Sequence, residues 1–454
     1  MNIPPTKIVL LAIAFTAIAV PKSRCEWSVW TSAHMITAEE LASSGALAPV
    51  AIPTKLSNFR YPYLQQDGSV IFIANDHLKP TNKEGRAGIF KIENNEWVTT
   101  LTSAGEGLAN AEGKVACVIG LKVCGGRAVF NVSLDNGVFG IALWENGQTM
   151  LLASSNGPEG FLDFGYPDIS EDMVVFSAEA KGSGSSLYAI DLHSAERRVV
   201  AIVPNGTPIP HTEGVTFRGF AASQFADGAD VVFRAYSEDY NMANIPASGY
   251  SGAFRSKAFS KDLPQKIADT TTQIPGAATG QTFSYHLESA IPEAGYTVIV
   301  NKTSKLKGVY LASPEGKIEV IADTNTAIPD LFAGPFTWFN KWVSNCAPWV
   351  LFLGGTKDYL GLFALNIESH ELFLLADSRM KFDGKRISGA EISNSAKVGD
   401  KVALMLEFSD GSSGVYVATF GKGLAMQKAP ADRKLSMTLP AAAGTGSVPH
   451  QGIN

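Results

Sequence analysis

An apolar triplet recurs seven times along the chain: Val70-Ile71-Phe72, Ala128-Val129-Phe130, Val174-Val175-Phe176, Val231-Val232-Phe233, Val298-Ile299-Val300, Val350-Leu351-Phe352 and Val402-Ala403-Leu404. Their third residues lie 58, 46, 57, 67, 52 and 52 positions apart, the period of propeller and solenoid repeats. A small residue and a second apolar pair follow each triplet, as in Gly88-Ile89-Phe90, Gly140-Ile141-Ala142, Gly252-Ala253-Phe254 and Gly414-Val415-Tyr416. An aromatic-led segment precedes several triplets, as in Phe59-Arg60-Tyr61-Pro62 and Phe164-Gly165-Tyr166-Pro167, and a further strand such as Val199 to Val203 or Leu372 to Ala376 completes the unit. Four short strands separated by turn residues, with no helical periodicity between them, make one blade. The chain is expected to be all-β, a seven-bladed β-propeller, with six or eight blades as the alternatives.

Between blades runs a second signature, Thr207-x-Ile209-Pro210, Thr272-x-Ile274-Pro275 and Thr326-x-Ile328-Pro329, followed seven or eight residues later by Phe217, Phe283 or Phe336. A proline at fixed offset suits a rigid connection from the outer strand of one blade to the inner strand of the next. The seventh repeat stops after Val415 to Phe420, one strand short, before a Gly, Ala and Pro-rich stretch from Gly421 to Asn454. A strand within Trp27 to Ile36 is expected to supply the missing outer strand and close the ring, which removes an exposed edge. The propeller then spans residues 27–420, and 421–454 reads as a flexible tail.

The run Tyr166-Pro167-Asp168-Ile169-Ser170, through Val174-Val175-Phe176, to Leu187-Tyr188-Ala189-Ile190-Asp191 resembles the TolB-type (WD40-like) propeller repeat. The junction Ala322-Asp323-Thr324-Asn325-Thr326-Ala327-Ile328-Pro329 is similar to those joining the blades of secreted bacterial tandem-repeat propellers. The resemblance implies a fold and no particular activity. Families built on such propellers include binding scaffolds, peptidase gating domains, glycosidases and polysaccharide lyases.

The N-terminus reads as an export signal over residues 1–19: Lys7 precedes an apolar run from Ile8 to Val20 that contains the small-x-small site Ala17-Ile18-Ala19. No other stretch reaches the roughly 20 apolar residues of a membrane helix, so a secreted or periplasmic protein without a transmembrane segment, and a monomer, is expected. In an oxidising compartment Cys117 and Cys124 are expected to close a hairpin disulfide, and Cys25 with Cys346 could tie down the N-terminal segment. The 37 Lys plus Arg against 43 Asp plus Glu give a net charge of −6, which argues against a nucleic-acid partner. No Cys-x-x-Cys or His-x-x-x-His spacing points to a metal, and no cofactor is legible. A serine-hydrolase elbow, phosphate loop, dinucleotide fingerprint and zincin helix are all missing from the sequence.

Loop length is the remaining functional signal. From triplet to small residue the counts are 16, 10, 10, 19, 8, 9 and 10, so the first and fourth blades carry insertions nearly opposite each other. The first holds His77 and Lys79; the fourth holds Tyr236, Asp239, Tyr240 and Tyr250. Arg60, Arg218, His286 and Lys341 stand near the starts of inner strands, where they would face the axial funnel. Cations and phenols on the loop face suit a ligand-binding role for Arg60, Lys79, Arg218, Tyr236, Asp239, Tyr250 and Lys341, the partner being an extracellular glycan or protein. The alternative is an enzyme, either a lyase acting on a uronic-acid polymer, with His77 or His286 as base and Tyr240 as acid, or a glycosidase.

Overall fold

A sheet made of these repeats is apolar on both faces, so each blade needs a neighbour on either side. The computed structural model describes residues 30–32, 56–76, 88–93, 97–238, 249–284, 287–293, 295–301, 306–328, 334–346, 348–370, 372–379, 381–382, 385–398, 401–411 and 413–419. These form seven small antiparallel sheets in a ring, a seven-bladed β-propeller, with no helix among the described residues.

Strand β1 (Trp30–Ser32) precedes the first blade, which is β2 (Leu56–Leu64), β3 (Val70–Asp76), β4 (Gly88–Glu93) and β5 (Trp97–Ser103). The second is β6 (Val115–Cys124), β7 (Arg127–Leu134), β8 (Phe139–Glu145) and β9 (Gln148–Ser154). In the third, the inner strand is split into β10 (Phe161–Phe164) and β11 (Asp168–Ile169), followed by β12 (Met173–Ala180), β13 (Gly184–Asp191) and β14 (Val199–Val203). The fourth comprises β15 (Gly219–Asp227), β16 (Asp230–Tyr236), β17 (Ser251–Lys257) and β18 (Gln265–Asp269). The fifth has β19 (Leu287–Glu293), β20 (Tyr296–Asn301), β21 (Gly308–Ala312) and β22 (Ile318–Asp323), and the sixth β23 (Trp338–Cys346), β24 (Trp349–Thr356), β25 (Tyr359–Asn366) and β26 (Leu372–Asp377). The seventh consists of the two-residue β27 (Lys381–Phe382), β28 (Lys385–Val398), β29 (Lys401–Phe408) and β30 (Ser413–Thr419). Strand β1 supplies its missing outer strand: Trp30, Thr31 and Ser32 stand opposite Ala418, Val417 and Tyr416. The ring closes as the truncated seventh repeat requires.

The repeated sequence pattern is a cross-strand contact. The last triplet residue faces the last residue of the second apolar pair across the two middle strands, as in Phe72 and Phe90, Phe176 and Tyr188, Phe233 and Phe254, and Phe352 and Phe363. These rings stack at centroid distances of 5.4 to 5.9 Å, each pair contributing about 0.5–1.5 kcal/mol beyond its burial. Hydrophobic clusters then straddle neighbouring blades: Ile71 and Ile89 of the first pack with Val118 and Phe130 of the second, and Leu351 and Leu353 of the sixth with Leu404 and Leu406 of the seventh.

The glycine opening the third strand has a steric cause. The third and fourth strands slip register just after it, at Ile89/Phe90, Ile141/Ala142 and Ala253/Phe254. That bulge brings an outer-strand carbonyl over the glycine. A Cβ at Gly140 would lie 2.1 Å from the Ala153 oxygen, and one at Gly88 would lie 2.7 Å from the Thr102 oxygen. The third blade carries Ser186 here, whose hydroxyl accepts the Asn205 N–H at 2.9 Å.

Two blade junctions are stiffened by an Asp–Thr exchange. Thr272 Oγ1 donates to Asp269 Oδ1 at 2.7 Å and accepts the Asp269 N–H at 3.1 Å; Thr326 and Asp323 repeat both contacts at 2.9 Å. The N–H groups of Phe217, Phe283 and Phe336 close the loop on the carbonyls of Thr207, Thr272 and Thr326 at 2.8, 3.1 and 3.1 Å. Ile209, Ile274 and Ile328 are buried as plugs.

The expected Cys117–Cys124 disulfide is corrected by the structure. Both thiols are free and both sit on β6, seven residues apart along one extended strand, which is roughly 23 Å where a disulfide tolerates a Cα separation of about 4.4–6.8 Å. The hairpin turn falls after Cys124, at Gly125-Gly126, whose φ values are 57° and 75°. Cys25 and the segments 1–19 and 421–454 lie outside the described residues.

Two outcomes follow from these contacts. Gly140→Val should destabilise the protein by about 1–3 kcal/mol, since backbone must move to admit the side chain, and the midpoint of urea unfolding measures this. Burial acts to raise the Asp269 pKa, but hydrogen bonds from Tyr250, Thr271, Thr272 and Lys266 outweigh it and hold the carboxyl at about 2. A folded value below the unfolded one, about 3.9, means stabilisation that is present above pH ~4 and lost as pH falls through ~2, worth about 2 kcal/mol. Asp269→Asn should lower neutral-pH stability by about that amount and flatten the acid limb of a melting-temperature profile.

Candidate functional site

Seven inner strands face the axis, and each is irregular there. Register breaks at Arg60/Tyr63 in β2, Ile119/Lys122 in β6, Phe161/Asp163 in β10, Phe220/Gln224 in β15, Ala290/Pro292 in β19, Phe339/Val343 in β23 and Ile392/Lys397 in β28. A bulge bends its strand and re-aims side chains, and the breaks in β6, β15 and β28 hold Lys122, Gln224 and Ser393.

The third blade shows how far this goes. Between β10 and β11 the chain leaves its own sheet: the Gly165 N–H still donates to Ser177 O at 2.7 Å, but the Tyr166 N–H donates to Ala222 O of the fourth blade at 2.6 Å. Pro167 has no N–H to offer. The Gln224 side chain acts as a substitute peptide, its Oε1 accepting the Ser177 N–H at 3.1 Å and its Nε2 donating to the carbonyls of Tyr166 and, at 3.3 Å, Val175.

Where the breaks of the first, second, third, fourth and seventh blades meet, they enclose a cavity of about 20 Å³, room for one water-sized group and too small for a whole sugar ring. Tyr61, Tyr63, Lys122, Tyr166, Phe225 and Ser393 are among its walls. Lys122 extends its ammonium over the Phe225 ring, 4.9 Å from the centroid, and stands 4.0 Å from Asp168 Oδ1. Asp168 Oδ2 also accepts the Ala226 N–H at 3.0 Å, so second, third and fourth blades are joined at one point. Burial lowers the Lys122 pKa, with Asp168 opposing; burial raises the Asp168 pKa, with Lys122 and backbone N–H groups opposing. Tyr63, fully buried, donates its hydroxyl to Leu121 O at 2.9 Å.

The residues expected at the site are dispersed differently. His77, Lys79, Asp239, Tyr240 and His286 lie outside the described residues. Arg60 is in mid-strand, paired with Glu391 of the seventh blade at 2.6 Å; burial disfavours its charge, and the Glu391 hydrogen bond overcomes this to raise its pKa. Lys341 occupies the corresponding break in β23. Arg218 is exposed just before β15, with its N–H on Tyr236 O at 2.9 Å.

Tyr236 does not stand in the loop. It ends β16 fully buried between Gly219 and Ser251, with the Arg234 guanidinium 5.6 Å from its ring. Tyr250 is half-buried, and its hydroxyl is engaged by Asp269; burial first and that carboxylate second push its pKa above the ordinary range. Tyr250 lies in the fourth-blade insertion, one residue before β17, whereas Tyr236 is the last residue of β16; the sequence places it in the insertion because strand ends cannot be read to within a residue or two. The groups missed are Lys122, Asp168, Tyr61, Tyr166 and Glu391. The Tyr-Pro pairs at Tyr61-Pro62 and Tyr166-Pro167, repeated in two inner strands, were the available signal, because proline in a non-edge strand marks a broken ladder.

Among solved structures the chain is similar to the β-propeller domain of the Trilobed protease from Pyrococcus furiosus, at 10% identity and a TM-score of 0.50, covering 80% of this chain and 96% of that one. It is also similar to a puromycin-hydrolyzing peptidase from Mycobacterium tuberculosis, at 13% identity and a TM-score of 0.48, with 87% of this chain and 55% of that one covered. An oligogalacturonate lyase from Vibrio parahaemolyticus gives 14% identity, a TM-score of 0.47 and coverages of 81% and 92%. The chain thus spans about half the length of the peptidase. The likeness is one of fold, with too little identity to carry a substrate across. No curated protein matches the sequence. Residues 12–361, most of the chain, match the model of a family of unknown function, DUF7453, and the chain belongs to that family.

Proposed function

We propose that the chain is an exported propeller that binds an extracellular glycan or protein without transforming it, seating one group of the ligand in the axial cavity. One observation carries this reading: three tyrosines, one phenylalanine ring face and one largely buried ammonium converge there from four blades. Aromatic faces and a cation with little water around it suit the flat apolar side and polar substituents of a ligand. A cavity of this size admits a single hydroxyl or carboxylate while the rest of the ligand lies across the channel mouth.

Binding is favoured over proton transfer by how the polar groups are used. Tyr63, Gln224 and Ser393 spend theirs on backbone carbonyls, whereas a general acid or base must aim its proton or lone pair at the substrate. The lyase alternative depends on His77, His286 and Tyr240, which lie outside the described residues. Export rests on residues 1–19 alone.

Removing Lys122 by itself would strand Asp168 as a buried charge, so the informative variant neutralises both, Lys122→Met with Asp168→Asn, which keeps volume and removes the ion pair. The parent should retain ligand on an array of neutral and acidic polysaccharides and extracellular proteins, and the double variant should bind at least about tenfold more weakly, or ~1.4 kcal/mol, with an unchanged melting temperature. Equal affinity would refute the axial site. Appearance of unsaturated or reducing ends during incubation would show turnover instead.

A further inference from the structure

The first and last blades meet at a polar seam. Glu391, on β28 and 4% exposed, accepts the Arg60 guanidinium on Oε2 at 2.6 Å and the Tyr61 N–H on Oε1 at 2.9 Å. Two residues on, Ser393 Oγ donates to Pro62 O at 2.6 Å. Tyr61 has φ of 52°, a left-handed conformation that an aromatic residue adopts only when its surroundings impose it. Tyr61, Tyr63 and Ser393 all line the axial cavity. The seam between blades that are distant in sequence is thus also a wall of the pocket.

We infer that Glu391 is the positioning residue of the axial site: its carboxylate grips the Tyr61 N–H from the neighbouring seventh blade and holds Tyr61 in its left-handed conformation, so the pocket is complete only when the ring is closed. This rests on the proposed binding role of that cavity, and it names the device that builds it. A hydrogen bond to a carboxylate is short and strong for its kind, and Arg60 balances the charge that the grip requires. Loss of the carboxylate removes the acceptor that Glu391 offers to that N–H. The residue then relaxes to negative φ and its ring leaves the wall.

The test needs no ligand. Residue-resolved amide exchange and tetranitromethane nitration are followed in the parent, Glu391→Ala and Glu391→Gln proteins. Glu391→Ala should speed exchange at the Tyr61 amide about tenfold or more and raise nitration of Tyr61, while Val174, Val175 and Phe176 of the third blade stay protected. Glu391→Gln keeps a carbonyl for the Tyr61 N–H and should restore protection to within about threefold of the parent, which a merely space-filling role would not require. A protected Tyr61 amide in Glu391→Ala, or a Gln variant as unprotected as the alanine one, overturns the inference. If the alanine variant also loses protection at Val174 to Phe176, Glu391→Asp decides: its shortened carboxylate keeps the charge but not the reach, and it must expose the Tyr61 amide alone. A failed ligand screen leaves these outcomes untouched, and a protected Tyr61 leaves the binding reading standing.

Discussion

Each blade of this ring has two apolar faces, and a sheet with two apolar faces is stable only between neighbours. Ile71 and Phe130, or Leu351 and Leu404, are core residues because the adjacent blade covers them. A chain of such units has two dangling ends unless the last meets the first. The pairing of Trp30–Ser32 with β30 answers that requirement through the backbone, and Glu391 with Arg60 and Tyr61 answers it through side chains. Everything inside the ring inherits its geometry from that closure.

The axis is where closure has a cost. Seven inner strands converge on the axis, and every one of them slips register along its length. Each slip leaves peptide groups to be satisfied by other means. Gln224 stands in for missing backbone, Asp168 takes the Ala226 N–H, and Glu391 takes that of Tyr61. The polar residues that mend the ladders are the same residues that shape the cavity, so structure and candidate function share one set of side chains.

Much of this was legible in the sequence for a physical reason. A triplet and its partner pair recur because they face each other across two strands, as Phe233 faces Phe254, so a contact repeated in space is a pattern repeated in the chain. The missing strand of the seventh repeat could be counted, and β1 lies within the stretch expected to supply it. The site was far less legible. Lys122 reads as an ordinary strand lysine until Asp168 and Phe225 are brought to it from two other blades. Insertions drew attention to loops because length is visible in sequence, whereas the inner-strand slips add only one residue at a time in β2 and β6, two in β15 and β23 and up to three in β28. Cys117 and Cys124 were misjudged on the same ground: their spacing fits a hairpin, and only the position of the turn at Gly125-Gly126 shows that they share a strand.

Ring closure by the N-terminal strand is the claim on which the rest depends, and cross-linking measures it directly. Thr31 stands opposite Val417 across the β1 and β30 pair. With the native cysteines replaced by serine, Thr31→Cys with Val417→Cys should oxidise to a single intramolecular disulfide, recovered as one linked peptide by mass mapping, because facing residues on paired strands bring Cβ atoms to ~4.5–5.5 Å. Thr31→Cys with Ala403→Cys, one strand further in, should stay reduced. Linkage in the second pair, or free thiols in the first under conditions where the protein is folded, would contradict the closure and the account built on it.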